Sequence, residues 1–284
     1  MDKRQFLDFL KEDGFVSFRR SEAAVAEMAL AAIEDCLAGS DISPEDVDTV
    51  IFATESFADP GATDPIAVRN AFLSGLADAC GITSAAVHAC WLNECANLSY
   101  ALSLAHALVV SGTAHNVLAV VADRHDDNHP RLMTSGAAVM SDGAAAVLVT
   151  NGGDFRLHHV VTHFAPEVFA AERDNDVQRK TQGLMSGLAD FAKRIETVTG
   201  RRIADYPLIL TDNLHGMYLD FIREGLGIPP ERLSQPSKAE AAHAFSIDGL
   251  LGLDALAALA SPSGSIAILN IIPWSFGFTV LEAS

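Results

Sequence analysis

Asn93-Glu94-Cys95-Ala96-Asn97-Leu98-Ser99-Tyr100-Ala101-Leu102 opens a run that stays almost wholly apolar or small as far as Ser111, with no Gly or Pro after Cys95. A helix apolar on every side is buried on every side, so this one belongs in the middle of a domain. Asn93 stands where a cap would. A thiol at Cys95, in the first turn, meets unpaired backbone N–H groups and the positive end of the helix dipole. Both favour thiolate, the form that attacks a carbonyl carbon. The competing reading is a small core residue, since free cysteine is among the most buried types.

A second run of the same kind spans Phe245 to Ala260. Each run ends in a Gly-containing turn and leads to an apolar strand, 116–121 after the first and 265–272 after the second. That parallel reads as an internal duplication, with Asn151-Gly152-Gly153 as the junction between a half at 1–152 and a half at 153–284. Before the first run the pattern predicts helices over 5–13, 22–37 and 65–80 and strands over 47–53 and 85–90. Residues 54–65, with Pro60 and Gly61, read as a loop. After it come a polar loop at 123–135, a turn at Met140-Ser141-Asp142-Gly143 and a strand over 144–150. The second half offers strands at 155–163, 206–211, 265–272 and 278–281 and helices at 184–199 and 214–225. Residues 164–183 read as a polar, charged loop. Two α/β halves packing their buried helices between two sheets give a layered α/β fold.

The chain has 284 residues, 49% hydrophobic and 20% charged, enough for a large core. No apolar run reaches the ~18 residues needed to cross a bilayer, and the polar start, Met1-Asp2-Lys3-Arg4, leads into no signal-like core. A cytoplasmic location is expected. The formal charge of −18 argues against nucleic acid as a partner. Cys36, Cys80, Cys90 and Cys95 lack paired metal spacing and suggest no disulfide framework.

A cysteine nucleophile needs a base, and the base needs an orienting group. Ala242-His243-Ala244 precedes the second buried helix, matching the place of Cys95 before the first. Asp212 follows the buried strand 206–211, at a strand end where sites in α/β sheets gather. Cys95, His243 and Asp212 are therefore the expected triad. Asp212 as a helix cap, His243 as an ordinary loop histidine and His215 as the base are the alternatives. Cys90 with His88 falls in a strand and reads as core or site wall. His125, Asp126, Asp127 and His129 share one loop without a further ligand set, so no metal site is expected. Ser141 lacks the G-x-S-x-G context of a nucleophile elbow, and no phosphate-cradling glycine loop occurs.

These residues resemble the thiolase-like condensing enzymes, above all the β-ketoacyl-carrier-protein synthase III group. Glu22–Ser56 is similar to that family's first helix, Pro-containing loop and strand ending in Ala-Thr. Cys95 stands where its acyl-accepting cysteine precedes Tyr-Ala-Leu, here Tyr100-Ala101-Leu102. Ser111-Gly112 with Asn116-Val117-Leu118, Ser141-Asp142-Gly143-Ala144 and Leu226-Gly227-Ile228-Pro229-Pro230 add to the likeness. The resemblance implies a five-layered αβαβα thiolase-like fold of two duplicated halves and a homodimer. It implies no permanently bound cofactor and an acyl donor that is a coenzyme A or acyl-carrier-protein thioester.

The departures carry the functional expectation. The family's catalytic His falls on Asp212 and its Asn on His243. An anionic Asp212 would repel a malonyl carboxylate and the enolate left by decarboxylation, yet would suit a histidine base. The resemblance thus points to the acyltransferase branch, which moves an acyl group from a thioester to a hydroxyl or amine of a small molecule. The family's Gly-rich oxyanion loop is replaced by Pro273-Trp274-Ser275-Phe276-Gly277. A backbone N–H at Trp274 or Ser275 is expected to pair with that of Cys95. The chain starts about 30 residues late by comparison, and the family's carrier-docking arginine falls on Met217, leaving Arg179-Lys180 or Arg201-Arg202 as docking patches. A carbon–carbon bond-forming synthase and a non-catalytic partner subunit of a heterodimer are the rival readings.

Overall fold

The computed structural model describes residues 3–56, 64–126, 128–133, 136–259 and 264–283. Most of the 54–65 loop with Pro60 and Gly61, Asp127, and the 261–263 turn lie outside them.

The first sheet holds β1 (Thr49–Ala53), β2 (Ala86–Cys90), β3 (Val117–Asp123) and β4 (Gly143–Val149) in the order β2-β1-β3-β4. The second holds β5 (Phe155–Phe164), β6 (Leu208–Thr211), β7 (Leu233–Ser234), β8 (Ser265–Ile272) and β9 (Ser275–Ala283) in the order β5-β9-β8-β6-β7. In the first sheet β1 lies parallel to both neighbours and β3 antiparallel to β4. In the second β6 lies parallel to both neighbours and β8 antiparallel to β9. The pattern is the same, with β5 added at one edge of the second sheet. Strands β1 and β3 are buried throughout, as parallel strands covered on both faces must be.

The helices are α1 (Lys3–Glu12), α2 (Val25–Ala38), α3 (Pro65–Asp78), α4 (Asn97–Val110), α5 (Pro166–Arg173), α6 (Val177–Thr199), α7 (Gly216–Leu226), α8 (Lys238–Ala241) and α9 (Asp248–Leu259). Five layers follow from what each buries. Val25, Ala29 and Ile33 of α2 and Phe72 of α3 pack on the outer face of the first sheet. Leu98, Ala101, Leu102 and Ala105 of α4 fill the space behind its inner face. Leu253 and Leu256 of α9 cover Leu210, Ile266 and Ile268 on the second sheet. Leu188, Phe191 and Ile195 of α6 and Ile222 of α7 close its far side. The order is helices, sheet, α4 with α9, sheet, helices: the expected αβαβα stack.

One expectation fails. Residues 164–183, read as a loop, are α5 and the first third of α6. Pro166 sits in the first turn of α5, where its missing N–H costs nothing. The Asp176 side chain caps α6 by accepting from the Arg179 N–H at 2.9 Å. The buried stripe of α6 begins with Gly183 and Gly187. A Cβ at 187 would lie 3.2 Å from both Ala165 and Phe276; glycine there lets the helix approach the sheet.

Candidate active site

Cys95 and His243 stand on turns of similar build. Cys95 lies in the 3₁₀ turn Glu94–Ala96, which continues into α4, and His243 comes just before the 3₁₀ turn Phe245–Ile247, which continues into α9. Both turns hold non-glycine residues at positive φ: Glu94 at +45°, Ala242 at +47° and Phe245 at +58°. Such backbone costs on the order of 1–3 kcal/mol per residue and tends to gather at functional sites. Between these turns Cys95 Sγ stands 3.4 Å from His243 Nε2, in the buried space between the sheets.

The other ring nitrogen, Nδ1, is 2.5 Å from Asp248 Oδ2. A carboxylate only accepts, so Nδ1 carries a proton, and Nε2, when it carries none, offers its lone pair to the thiol. Asp248 is itself held: Oδ2 accepts from the Asn213 N–H at 2.7 Å, and Oδ1 from the Ala244 N–H at 2.7 Å and from Asn213 Nδ2 at 3.2 Å.

Asp212, expected to hold the ring, does not. Its Oδ1 accepts from Asn270 Nδ2 at 2.9 Å and its Oδ2 from the Ile271 N–H at 2.7 Å, both on the neighbouring strand β8. Asp212 follows the end of β6, so the adjacent strand supplies its partners. Asp248 starts α9 five residues after His243, and the intervening 3₁₀ turn folds it back under the ring. α9 carries two acids, Asp248 and Asp254, and the fold decides that Asp248 meets the ring. Glu55, which follows β1, also reaches the thiol: its Oε2 lies 3.5 Å from Cys95 Sγ.

Carboxyl groups dominate the electrostatics. Burial, then the charges of Glu55, Asp212, Glu94 and Asp248, push the Cys95 thiol well above its usual pKa. This overrides the helix-start effect expected from sequence. Burial opposes charge on His243, but Asp248, through charge and hydrogen bond, and Asp212 and Asp123 outweigh it and raise the ring's pKa. Burial lifts Asp212 to about 7 and Glu94 to about 7.

Three comparisons bear on this arrangement. Residues 92–164, which include Cys95, match the family model for 3-oxoacyl-[acyl-carrier-protein] synthase III. A β-ketoacyl-[acyl-carrier-protein] synthase III of Tropheryma whipplei (strain Twist) is 28% identical over 141 residues, 49% of this chain and 41% of that protein. The Aquifex aeolicus enzyme of the same name is 23% identical over 220 residues, 75% of this chain and 68% of its own. The match thus spans about two fifths of the Tropheryma relative's length. Among solved structures, ChlB3, named as an acyltransferase, superposes with a TM-score of 0.79 over 97% of this chain and 89% of its own, at 17% identity. The priming β-ketosynthase of the R1128 polyketide pathway gives 0.73 over 100% and 89%, at 19% identity. The chain has the fold of these structures, and its residues 92–164 are synthase-III-like.

Other expectations for this chain resolve as follows. His215 is not near the thiol: it caps α7, its Nδ1 accepting from the Met217 N–H at 3.1 Å, and stacks on Phe9. His129 Nδ1 pairs with Asp126 Oδ2 at 2.7 Å within its own loop, and among the described residues no group of three or more side chains could hold a metal. Cys90 and His88 lie on edge strand β2, His88 exposed. Ser141 donates to the Ala241 carbonyl, and Asp142 takes Arg131 in a two-pronged ion pair. The Pro273–Trp274 turn joins β8 to β9, and Ser275 Oγ donates to Asn93 Oδ1 at 3.3 Å, two residues from the thiol. The candidate docking cations are already engaged: Arg179 with Asp174, Lys180 with Glu172, and Arg201 and Arg202 with Asp205.

Two cavities adjoin the His243–Cys95 region. One of about 620 Å³, lined by Arg19, Asp142, Glu240, Leu251 and Asp254, passes behind the Ala244–Ile247 turn and includes neither Cys95 nor His243. The other, about 470 Å³, is bordered by Asn93 and Glu94 beside the thiol and walled by Trp91, Leu92, Phe164, Phe169 and Trp274. The smaller one has Asn93 and Glu94, which lead into Cys95, at its edge and the apolar walls an acyl chain needs. Among the described residues no helix is long and apolar enough to cross a membrane.

Proposed function

We propose that the chain is an acyltransferase that works by a ping-pong route. The observation that carries this reading is the Cys95–His243–Asp248 relay, with Sγ 3.4 Å from Nε2 and Nδ1 2.5 Å from Asp248. Asp248 takes the orienting place expected for Asp212. His243 Nε2 accepts the thiol proton as Sγ attacks the carbonyl carbon of a coenzyme A or carrier-protein thioester. It returns that proton to the departing donor thiolate. The neutral ring then accepts the proton of an acceptor hydroxyl or amine as that group attacks the Cys95 thioester. The proton passes to Sγ when the ester or amide leaves. Backbone N–H groups of Cys95 and of Trp274 or Ser275 would hold the carbonyl oxygen; Pro273 has none to give. The aromatic cavity beside Asn93 and Glu94 would take the acyl chain.

Asp212 and Glu94 near the sulfur support transfer over decarboxylative condensation when they are ionised. A malonyl carboxylate and its enolate would both gather negative charge among them. The second reading, a carbon–carbon bond-forming synthase, is favoured by the names of the curated relatives. The exposed edge strand β2, with Val87, Trp91 and Leu92 exposed on and just after it, suits pairing with a second copy. The test is intact mass spectrometry against a panel of acyl thioesters and small alcohols and amines. Acyl mass that appears on Cys95 and is then discharged to an acceptor supports transfer. Carbon dioxide release from a malonyl thioester supports condensation.

A further inference from the structure

Among the described residues Glu55 is the one carboxyl side chain with a hydrogen-bond contact to the candidate nucleophile, and the proton relay above gives it no task. Its Oε2 lies 3.5 Å from Cys95 Sγ, beside His243 Nε2 at 3.4 Å. It is placed there by design of the backbone. Asp123 Oδ1 accepts from Thr54 Oγ1 at 2.8 Å, the Glu55 N–H at 2.7 Å, the Ser56 N–H at 3.0 Å and Ser56 Oγ at 3.1 Å. Four bonds to one buried oxygen fix the chain where β1 ends and aim the Glu55 side chain across at Sγ.

The proton count at sulfur decides what Glu55 can do. A thiol has one proton to give and two neighbours here able to take it. In the acyltransferase reading that proton goes to Nε2. The sulfur left behind is an anion with a carboxyl 3.5 Å away. An ionised Glu55 would repel it; a protonated Glu55 would donate a hydrogen bond to it. Resting on the acyltransferase reading of Cys95, we propose that Glu55 serves as a neutral acid, the hydrogen-bond donor that makes the Cys95 thiolate attainable within a ring of carboxyl groups.

The surroundings agree. Burial first, then the charges of Asp123, Glu94 and Asp212, hold Glu55 well above the ordinary carboxylate range, with the Cys95 contact opposing. The charges that raise it are all carboxyl groups. A carboxylic acid kept neutral by its site so that it can donate a hydrogen bond is a known device of enzyme sites. Glu55 keeps its proton throughout, so the proton balance of the relay is unchanged.

The test uses alkylation of Cys95 by iodoacetamide in the intact protein, followed by mass across pH 5 to 10, and so needs no acyl substrate. Glu55→Leu removes the donor: the apparent thiol pKa should rise and alkylation at pH 7 should slow about tenfold or more, as for loss of a hydrogen bond to a charged group. Glu55→Gln supplies a permanently neutral donor and should recover most of that loss. Native and Gln both clearly faster than Leu is the predicted order. Gln as slow as Leu would show that an ionised carboxylate is required. Both variants equal to or faster than native would show that Glu55 gives the thiolate nothing. Either result overturns the proposal. If the predicted order holds but no acyl thioester loads Cys95, it is the acyltransferase reading that fails, and the Glu55–thiolate contact stands.

Discussion

His243 Nδ1 and Asp248 Oδ2 stand 2.5 Å apart within one turn, while Asp212, the acid at the strand end, bonds to β8 instead. The two acids thus have separable consequences. Asp248→Asn removes the group that fixes the ring tautomer and should lower single-turnover acyl transfer by ~10²- to 10⁴-fold. Asp212→Asn should cost chiefly stability, ~1–3 kcal/mol, because the Asn270 and Ile271 donors lose an acceptor they share. Transfer rates and denaturant midpoints for both variants check this. A larger transfer loss from Asp212→Asn than from Asp248→Asn would contradict it.

Stability should fall as pH rises through neutrality. Asp212 and Glu94 have folded pKa values of about 7 and Asp123 of about 6, above their unfolded values. Between roughly pH 4 and 7 the folded chain therefore binds more protons than the unfolded one, and stability declines with pH. His243, raised above its usual value, adds in the same direction as it loses its proton. Asp142 works the other way, but only at lower pH: burial raises it, the Arg131 bond and backbone donors prevail, and its net lowered pKa gives stability lost as pH falls below about 4. Thermal melting should show a Tm higher at pH 5 than at pH 8 by ~5 °C or more. The reverse order would contradict these assignments.

Asp142 is the structural anchor of the polar loop. It accepts from Arg131 Nη1 and Nη2 at 2.8 and 2.9 Å, the Ser21 N–H at 2.8 Å and the His125 N–H at 2.9 Å. Asp142→Ala removes the carboxylate partner of a largely buried guanidinium and should cost ~3–5 kcal/mol, read as a lower urea midpoint with an unchanged m-value.

Gly277 on β9 meets Ser99 in the first turn of α4: a Cβ at 277 would come within 2.2 Å of Ser99 Oγ and 2.3 Å of its Cβ. Ser99 Oγ also donates to Asn270 Oδ1 at 3.1 Å, and Asn270 donates to Asp212. Gly277→Ala should destabilise by ~1–3 kcal/mol, and adding Ser99→Gly should recover part of the loss. A double-mutant cycle measures that coupling; strict additivity would argue against the contact.

The layers of this fold were legible because each core element carries its own period. Leu98, Ala101, Leu102 and Ala105 mark α4 as buried, and the apolar β3 marks a strand covered on both faces. Segment 164–183 hid because its buried positions are few and mostly small, Ala165, Val168, Ala171 and Gly183, among many charged neighbours. At the site, position along the chain brought Cys95 and His243 to corresponding turns. It could not choose between Asp212 and Asp248, because that choice depends on which N–H groups a neighbouring strand offers. Glu55 was passed over for the same reason: its contact is across layers, and nothing local in Ala53-Thr54-Glu55-Ser56 announces it.

The most direct measurement is the mass of the intact protein after exposure to an acyl thioester, with the modified residue located by peptide mapping. The account predicts one acyl group on Cys95, absent in Cys95→Ala and strongly slowed in His243→Ala, and discharged when a small alcohol or amine is added. An adduct on Cys90, or none with any thioester under conditions where the chain is folded, would contradict it.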